Sequence, residues 1–319
     1  MTSIIYKFAL GLFFIFTSSS QSIEDAERQL YRADGSSINF YIKKNLPGSH
    51  SNTLLIIVQG SDCNSVLHNR SVDDLKPAWP GADLLLVDKY GITPALPYNK
   101  NAERKDCPTT YLEMDSLEQR VSDILQVIKK IESTSSYRNY LMIGGSEGAV
   151  VANAVASRSK LINATVAFNG GGRWFLDDVI HSIKKGRKES PELLTEIEGF
   201  TSFASQIISN PEIKIIMSGH GSRWWRSVLQ FDQLKQLGKV ESPLLVIQSD
   251  NDQSVSVKST DEMMALLFKN GKQNIDYKKY AGLDHSFREF GGESRLADVV
   301  VDINKWFATK IEFVSNAAQ

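Results

Sequence analysis

The sequence predicts an α/β fold: a mostly parallel central sheet flanked by helices and interrupted by one helical insertion. Three features carry that expectation. Short, continuous apolar runs alternate with segments whose apolar residues recur every three or four positions, the rhythm of strands followed by helices. The runs are apolar throughout rather than alternating, as expected of strands covered on both faces. The rhythm lapses from about Trp174 to Val240 and then resumes, so the insertion lies within a single sheet.

Taken in order, Met1 to Ser22 opens with one basic residue, Lys7. It continues through the apolar run Phe8 to Phe16 and ends in Thr17-Ser18-Ser19-Ser20. That layout is a secretory signal peptide cleaved near Ser20 or Ser22, since the run is shorter than the roughly 20 residues a spanning helix needs. The mature chain is therefore expected in an exported location, periplasmic or secreted, without stable membrane insertion. In an oxidising compartment Cys63 and Cys107, the only two cysteines, are expected to form one disulfide.

Ile38 to Ile42 alternates apolar and polar residues and reads as an early antiparallel strand, whereas Leu54 to Val58 and Ala82 to Val87 read as buried strands. Leu117, Val121, Ile124, Leu125, Ile128 and Ile131 share one helical face. Next come a strand at Tyr140 to Ile143, a helix from about Glu147 to Ser157, and a strand at Ala164 to Asn169 that stops in Gly170-Gly171-Gly172. The insertion carries helical signals but no clear strand, and Pro191 and Pro211 break it. The rhythm returns with a strand at Pro243 to Gln248, a helix around Thr260 to Asn270, a strand at Ile275 to Tyr280, and a last helix bearing Leu296, Val299, Val300, Ile303, Trp306 and Phe307.

Composition narrows the functional classes. The 319 residues are 42% hydrophobic, enough for one large core, and 36 basic residues nearly balance 37 acidic ones. No bulk charge favours nucleic acid as a partner. The glycine run lacks the spacing of a dinucleotide site, no phosphate-binding loop follows a strand, and no metal-binding histidine motif occurs. Neither a cofactor nor a metal is expected. The cluster Lys184-Lys185-Gly186-Arg187-Lys188 reads as a solvated face. Asn69-Arg70-Ser71 and Asn163-Ala164-Thr165 match glycosylation acceptors, which matters only in a eukaryotic secretory pathway.

The chemistry concentrates in Leu141-Met142-Ile143-Gly144-Gly145-Ser146-Glu147-Gly148-Ala149, a G-x-S-x-G string between an apolar strand and a small-residue helix. A serine on such a turn is held out from the sheet, and the glycines beside it permit close backbone approach. The amide of Glu147, opening the helix, points into the same space. A serine hydroxyl needs a base, and a base needs an orienting carboxylate. Of five histidines, His285 lies in a loop directly after a strand and before the last helix, while His50 and His68 read as loop residues and His181 and His220 belong to the insertion. After the preceding strand, Ser249-Asp250-Asn251-Asp252 offers two carboxylates, Asp250 and Asp252.

With these motifs in this order the chain resembles the α/β-hydrolase fold superfamily, in particular bacterial exported serine hydrolases related to dienelactone hydrolases and acyl-CoA thioesterases. The resemblance spans about Ile38 to Phe307. It implies Ser146 as nucleophile, His285 as base and Asp252 as its partner, because Asp252 followed by Gln253-Ser254-Val255 fits the frame of those relatives. It further implies an oxyanion hole with one donor at Glu147 and another at Ser61 or Asp62. Gln59-Gly60-Ser61 stands where the superfamily more commonly has a His-Gly loop. Trp224 and Trp225 would either line an acyl pocket or pack the insertion as a cap. The implied reaction is acyl transfer to water on a small-molecule or peptide acyl substrate, with a carboxylic ester favoured. Thioester or peptide cleavage by the same residues and a non-catalytic secreted binding protein are the alternatives.

Overall fold

The structure, a computed structural model, describes residues 26–46, 51–101 and 104–317, so the leader read at residues 1–22 lies outside the described residues. The first strands are β1 (Ala26–Tyr31), β2 (Ser37–Lys43) and β3 (Thr53–Val58). The short helix α1 (Ser71–Leu75) precedes β4 (Asp83–Val87), and α2 (Thr109–Met114) and α3 (Leu117–Thr134) precede β5 (Asn139–Gly145). Helix α4 (Glu147–Ala156) and β6 (Ala164–Phe168) follow.

The insertion comprises α5 (Phe175–Lys184), α6 (Pro191–Ser209), the two-residue strands β7 (Ile216–Met217) and β8 (His220–Gly221), α7 (Ser222–Leu229) and α8 (Gln233–Lys239). The chain closes with β9 (Leu244–Ser249), α9 (Val257–Lys269), β10 (Ile275–Tyr280) and α10 (Leu296–Ala317).

The sheet runs β1-β2-β4-β3-β5-β6-β9-β10. It is parallel from β4 to β10, and β2 and β1 are antiparallel at one edge. Side chains divide between its faces as the pleat requires. Leu54, Ile56 and Val58 of β3, with Tyr140 and Met142 of β5, pack toward α3, α4 and the insertion. Leu55, Ile57, Leu141 and Ile143 pack toward α1 and α10. Two-sided burial is why these strands read as continuous apolar runs. Helix α3 starts where the Ser116 hydroxyl accepts the Gln119 amide, and α9 where Ser256 accepts Ser259.

Two elements depart from the sequence reading. The edge strand β1 was not anticipated, because its polar sequence AERQLY has no apolar alternation and its order comes from pairing with β2 across a turn at Gly35, where φ is 82°. The insertion also contains the small hairpin β7–β8, joined by Ser218 and Gly219 at φ 48° and 75°. Positive φ at both central residues is what a tight two-residue hairpin needs. No helix among the described residues is long and apolar enough to cross a membrane.

Cys63 and Cys107 form a disulfide across 44 residues of sequence, buried with Ile92 and Tyr111. It ties the loop after β3 to the segment entering α2. Replacing both cysteines by serine is expected to cost about 4 kcal/mol through the freer unfolded chain, read by urea denaturation. A double variant as stable as wild type would show that native strain cancels the constraint.

Candidate active site

The carboxyl ends of the parallel strands gather the site. β5 ends at Gly145, and Ser146 turns the chain into α4 with φ 55° and ψ −129°, a backbone region that side chains rarely adopt and that costs of order 1–3 kcal/mol. Packing on three sides fixes the turn. A Cβ on Gly144 would lie 2.1 Å from the Gly148 carbonyl oxygen, and one on Gly148 would lie 2.2 Å from that of Val58. One on Gly145 would lie 2.1 Å from the Phe168 ring. The Ser146 amide donates to Phe168 O at 3.0 Å, anchoring the turn to β6. Each glycine of the string is thus required by a neighbour.

His285 follows β10 and its Nδ1 lies 2.8 Å from Asp252 Oδ2. The other Asp252 oxygen accepts the Ser254 and Val255 amides at 2.8 and 3.1 Å, and Gln248 reaches Oδ2 at 3.3 Å. Burial pushes the Asp252 carboxyl up, but the His285 hydrogen bond and charge, together with the two amides, outweigh it and hold the group below its ordinary value. Asp250, by contrast, is exposed and accepts the Gly282 amide at 2.6 Å, closing the turn after β10.

Ser146 lies at the meeting of two spaces. One is a small cavity of about 100 Å³ under the insertion, bordered by Ser61, Glu147, Val150, Phe175, Trp224 and Val228. The other is a groove of about 440 Å³ bordered by Gly60, Asp62, Tyr98, Phe168 and His285. Ser61 therefore faces the cavity and Asp62 the groove. Among the described residues, neither the Ser61 nor the Glu147 amide has a hydrogen-bond acceptor.

The two tryptophans separate. Trp224 borders the cavity, stacks on His220 with centroids 3.7 Å apart, and donates from Nε1 to Glu147 at 2.8 Å. Trp225 packs inside the insertion against Phe200 and Phe203 and donates to Met217 O. His220 is buried against Tyr111, and burial lowers it to about 4. His181 reaches the backbone oxygen of Asp252 at 3.1 Å.

Four buried polar residues of the site escaped the sequence reading. Asn169, at φ 50°, uses its whole amide: Nδ2 donates to His285 O at 2.9 Å and Oδ1 accepts the Ser249 amide at 2.8 Å, tying the histidine loop to β6 and β9. Arg120 pairs with Glu147 and donates to Gln59 O at 2.5 Å. Lys89 holds the carbonyls of Gly60 and Asp62. Asp178, on α5 and 3% exposed, borders the cavity and accepts the Ser256 and Gly172 amides at 2.8 and 3.3 Å. For Asn169 the available signal was an asparagine at a strand end before glycines, the setting in which a non-glycine residue adopts positive φ. Among the described residues no cluster of His, Cys, Asp and Glu could hold a metal ion.

Burial, reinforced by nearby Asp177 and Asp252, pushes the Asp178 carboxyl up to about 7 against the two amides. The folded protein therefore binds a proton there that the unfolded chain has released, so stability present at low pH is lost as pH rises through about 7. Asp178→Asn removes the titration and keeps an oxygen for both amides. From pH 5 to pH 8 the variant should gain roughly 2–3 kcal/mol relative to wild type. Parallel stability–pH curves for the two proteins would rule out a raised Asp178.

Residues 112–313 match the prolyl oligopeptidase family. The chain belongs to that family. A search of curated proteins gave no match. Among solved structures, this prolyl oligopeptidase family member is similar to Est1E from Butyrivibrio proteoclasticus with bound ferulic acid. The two are 15% identical with a TM-score of 0.60, over 89% of this chain and 99% of that one. It is also similar to the Pyrococcus furiosus esterase PF2001, at 15% identity and TM-score 0.57, over 90% and 91% of the two chains. A third is the Pyrococcus horikoshii acylaminoacyl peptidase, at 13% identity and TM-score 0.56, where 89% of this chain covers only 41% of that one. The solved structures share the α/β-hydrolase fold with this chain, and membership of the prolyl oligopeptidase family supports a serine hydrolase.

Proposed function

We propose that the protein cleaves carboxylic esters of small acyl groups by way of an acyl-enzyme. Ser146 attacks the carbonyl carbon while His285 takes its proton, and Asp252 keeps the imidazole in the required tautomer and stabilises its positive charge. The amides of Glu147 and Ser61 receive the oxyanion. His285 then protonates the departing alkoxide, and water repeats the cycle to release the acid. The observation that carries this reading is that a serine on a strained strand-to-helix turn and a carboxylate-paired histidine border one groove.

The same arrangement supports a direction for the substrate. A general acid must reach the leaving oxygen, and His285 borders the open groove rather than the cavity under the insertion. The leaving group then occupies the groove and the acyl group the small cavity, with α5 to α8 acting as a cap. The disulfide and the leader-like first residues support an exported protein.

The test is a panel of p-nitrophenyl esters from acetyl to decanoyl, with methyl ferulate, an acyl thioester and an acylated peptide beside them. A fluorophosphonate probe would be mapped to its residue in the same preparation. We expect labelling at Ser146 and a kcat/KM that peaks at the short acyl chains and drops by tenfold or more toward decanoyl. Faster cleavage of the peptide would move the assignment to a peptidase. An unlabelled, inactive wild type would move it to a binding protein on this fold.

A further inference from the structure

The loop after β3 is braced from within by Gln59 Nε2, which donates to Asp62 Oδ1 and Asn64 O, and its carbonyls at Gln59, Gly60 and Asp62 are held from outside by two buried cations. Lys89, just beyond β4, is 4% exposed, and its ammonium donates to Gly60 O at 2.7 Å and to Asp62 O. Arg120 takes the preceding carbonyl, Gln59 O. A trans peptide directs its C=O and the following N–H to opposite sides, and no cis bond occurs among the described residues. Fixing the Gly60 oxygen on Lys89 therefore turns the Ser61 N–H away from Lys89. That amide has no acceptor among the described residues, and Ser61 borders the cavity together with Ser146 and Glu147. Gly60 itself lies against the elbow, since a Cβ there would be 3.6 Å from Gly145 O and 3.7 Å from Ser146 Cβ.

We propose that Lys89 is a positioning residue of the oxyanion site: its ammonium, clamped on the Gly60 and Asp62 carbonyls, aims the Ser61 amide at the oxygen that becomes anionic when Ser146 attacks. This rests on the reading of Ser146 as nucleophile, and it selects Ser61 over Asp62 as the second donor, because the Asp62 amide belongs to the Ser61–Asp62 peptide, whose carbonyl Lys89 does not hold. Placing a lysine in this interior has a cost. Burial and the Arg120 charge lower its proton affinity, while Asp62, Glu147 and Asp115 favour the charged form. A side chain serving only to fill space would not need that charge.

The experiment compares wild type, Lys89→Met and Lys89→Gln for kcat, KM and thermal melting on a short-chain ester. It also measures the Ki of a trifluoromethyl ketone, whose hemiketal oxygen occupies the oxyanion position. We expect Lys89→Met to lose about 100-fold in kcat with KM within about threefold, and to weaken the trifluoromethyl ketone by a matching factor. Lys89→Gln, whose amide still donates to carbonyls, should recover part of both losses. If Lys89→Met does not fold, the glutamine variant is judged by the same criterion, a kcat loss matched by a Ki loss at unchanged KM. A folded variant with near-wild-type kcat, or one that loses kcat without weakening the ketone, overturns the proposal. A wild type that the fluorophosphonate fails to label at Ser146 overturns instead the nucleophile reading beneath it.

Discussion

Asp252→Asn is expected to lower kcat by roughly three to four orders of magnitude, while Asp250→Asn leaves it within about threefold. The difference follows from where the two carboxylates spend their oxygens. Asp252 Oδ1 already accepts two backbone amides, from Ser254 and Val255. In the asparagine variant the one remaining oxygen must stay with those amides, which turns the new NH2 group toward His285 Nδ1. A donor facing Nδ1 forces the proton onto Nε2, the nitrogen that receives the Ser146 proton in the proposed mechanism. The fold should survive, since every backbone partner is kept, so circular dichroism and the melting temperature would stay near wild type while turnover collapses. Among the described residues the Asp250 side chain, at an exposed position, accepts the Gly282 amide in a turn and makes no hydrogen bond to His285. An Asp252→Asn enzyme within tenfold of wild type, or an Asp250→Asn enzyme as crippled as expected for Asp252, would overturn the assignment of the acid. Ser146→Ala supplies the floor against which both are read.

Much of this site was legible because its signals are local. Leu54 to Val58 is apolar without interruption since both faces of β3 are covered, and the turn at Ser146 needs glycines at positions three-dimensional neighbours would otherwise fill. Asp250 and Asp252 could not be separated from residue types alone. Both are aspartates in one turn, and only the paths of the loops after β9 and β10 decide which meets His285. The tryptophan pair is similar: adjacent positions on α7 differ by about 100° around the axis, so one meets the cavity and the other the interior of the insertion.

What stayed hidden depends on contacts distant in sequence. Lys89 follows a strand in a polar stretch and reads as surface. It reaches Gly60 because β3 and β4 are parallel neighbours whose carboxyl ends emerge side by side. Arg120 lies three residues after Leu117 and four before Ile124, on the apolar face of α3, where packing against α4 buries it against Glu147. A charge on an otherwise apolar helix face was the missed clue.

That buried pair yields the second large effect. Arg120→Met should destabilise the protein by about 3–5 kcal/mol, because it leaves the Glu147 carboxylate desolvated without its closest counter-charge. Arg120 and Glu147 are 5% and 9% exposed, and burial alone would raise the Glu147 carboxyl. Arg120, then Lys89, reverse that and hold it below its ordinary value. The methionine also abandons the Gln59 carbonyl that Arg120 holds. Combining Arg120→Met with Glu147→Gln removes the stranded charge and keeps an oxygen for Trp224 Nε1, which donates to Glu147 at 2.8 Å. The double variant should therefore be more stable than Arg120→Met alone, a coupling that urea denaturation of the four proteins measures directly. Strictly additive losses would mean that the two charges do not compensate each other. Recovery of stability without recovery of turnover would separate the two duties of Arg120: neutralising Glu147 in the core, and bracing with Lys89 the loop whose amide is proposed to receive the oxyanion.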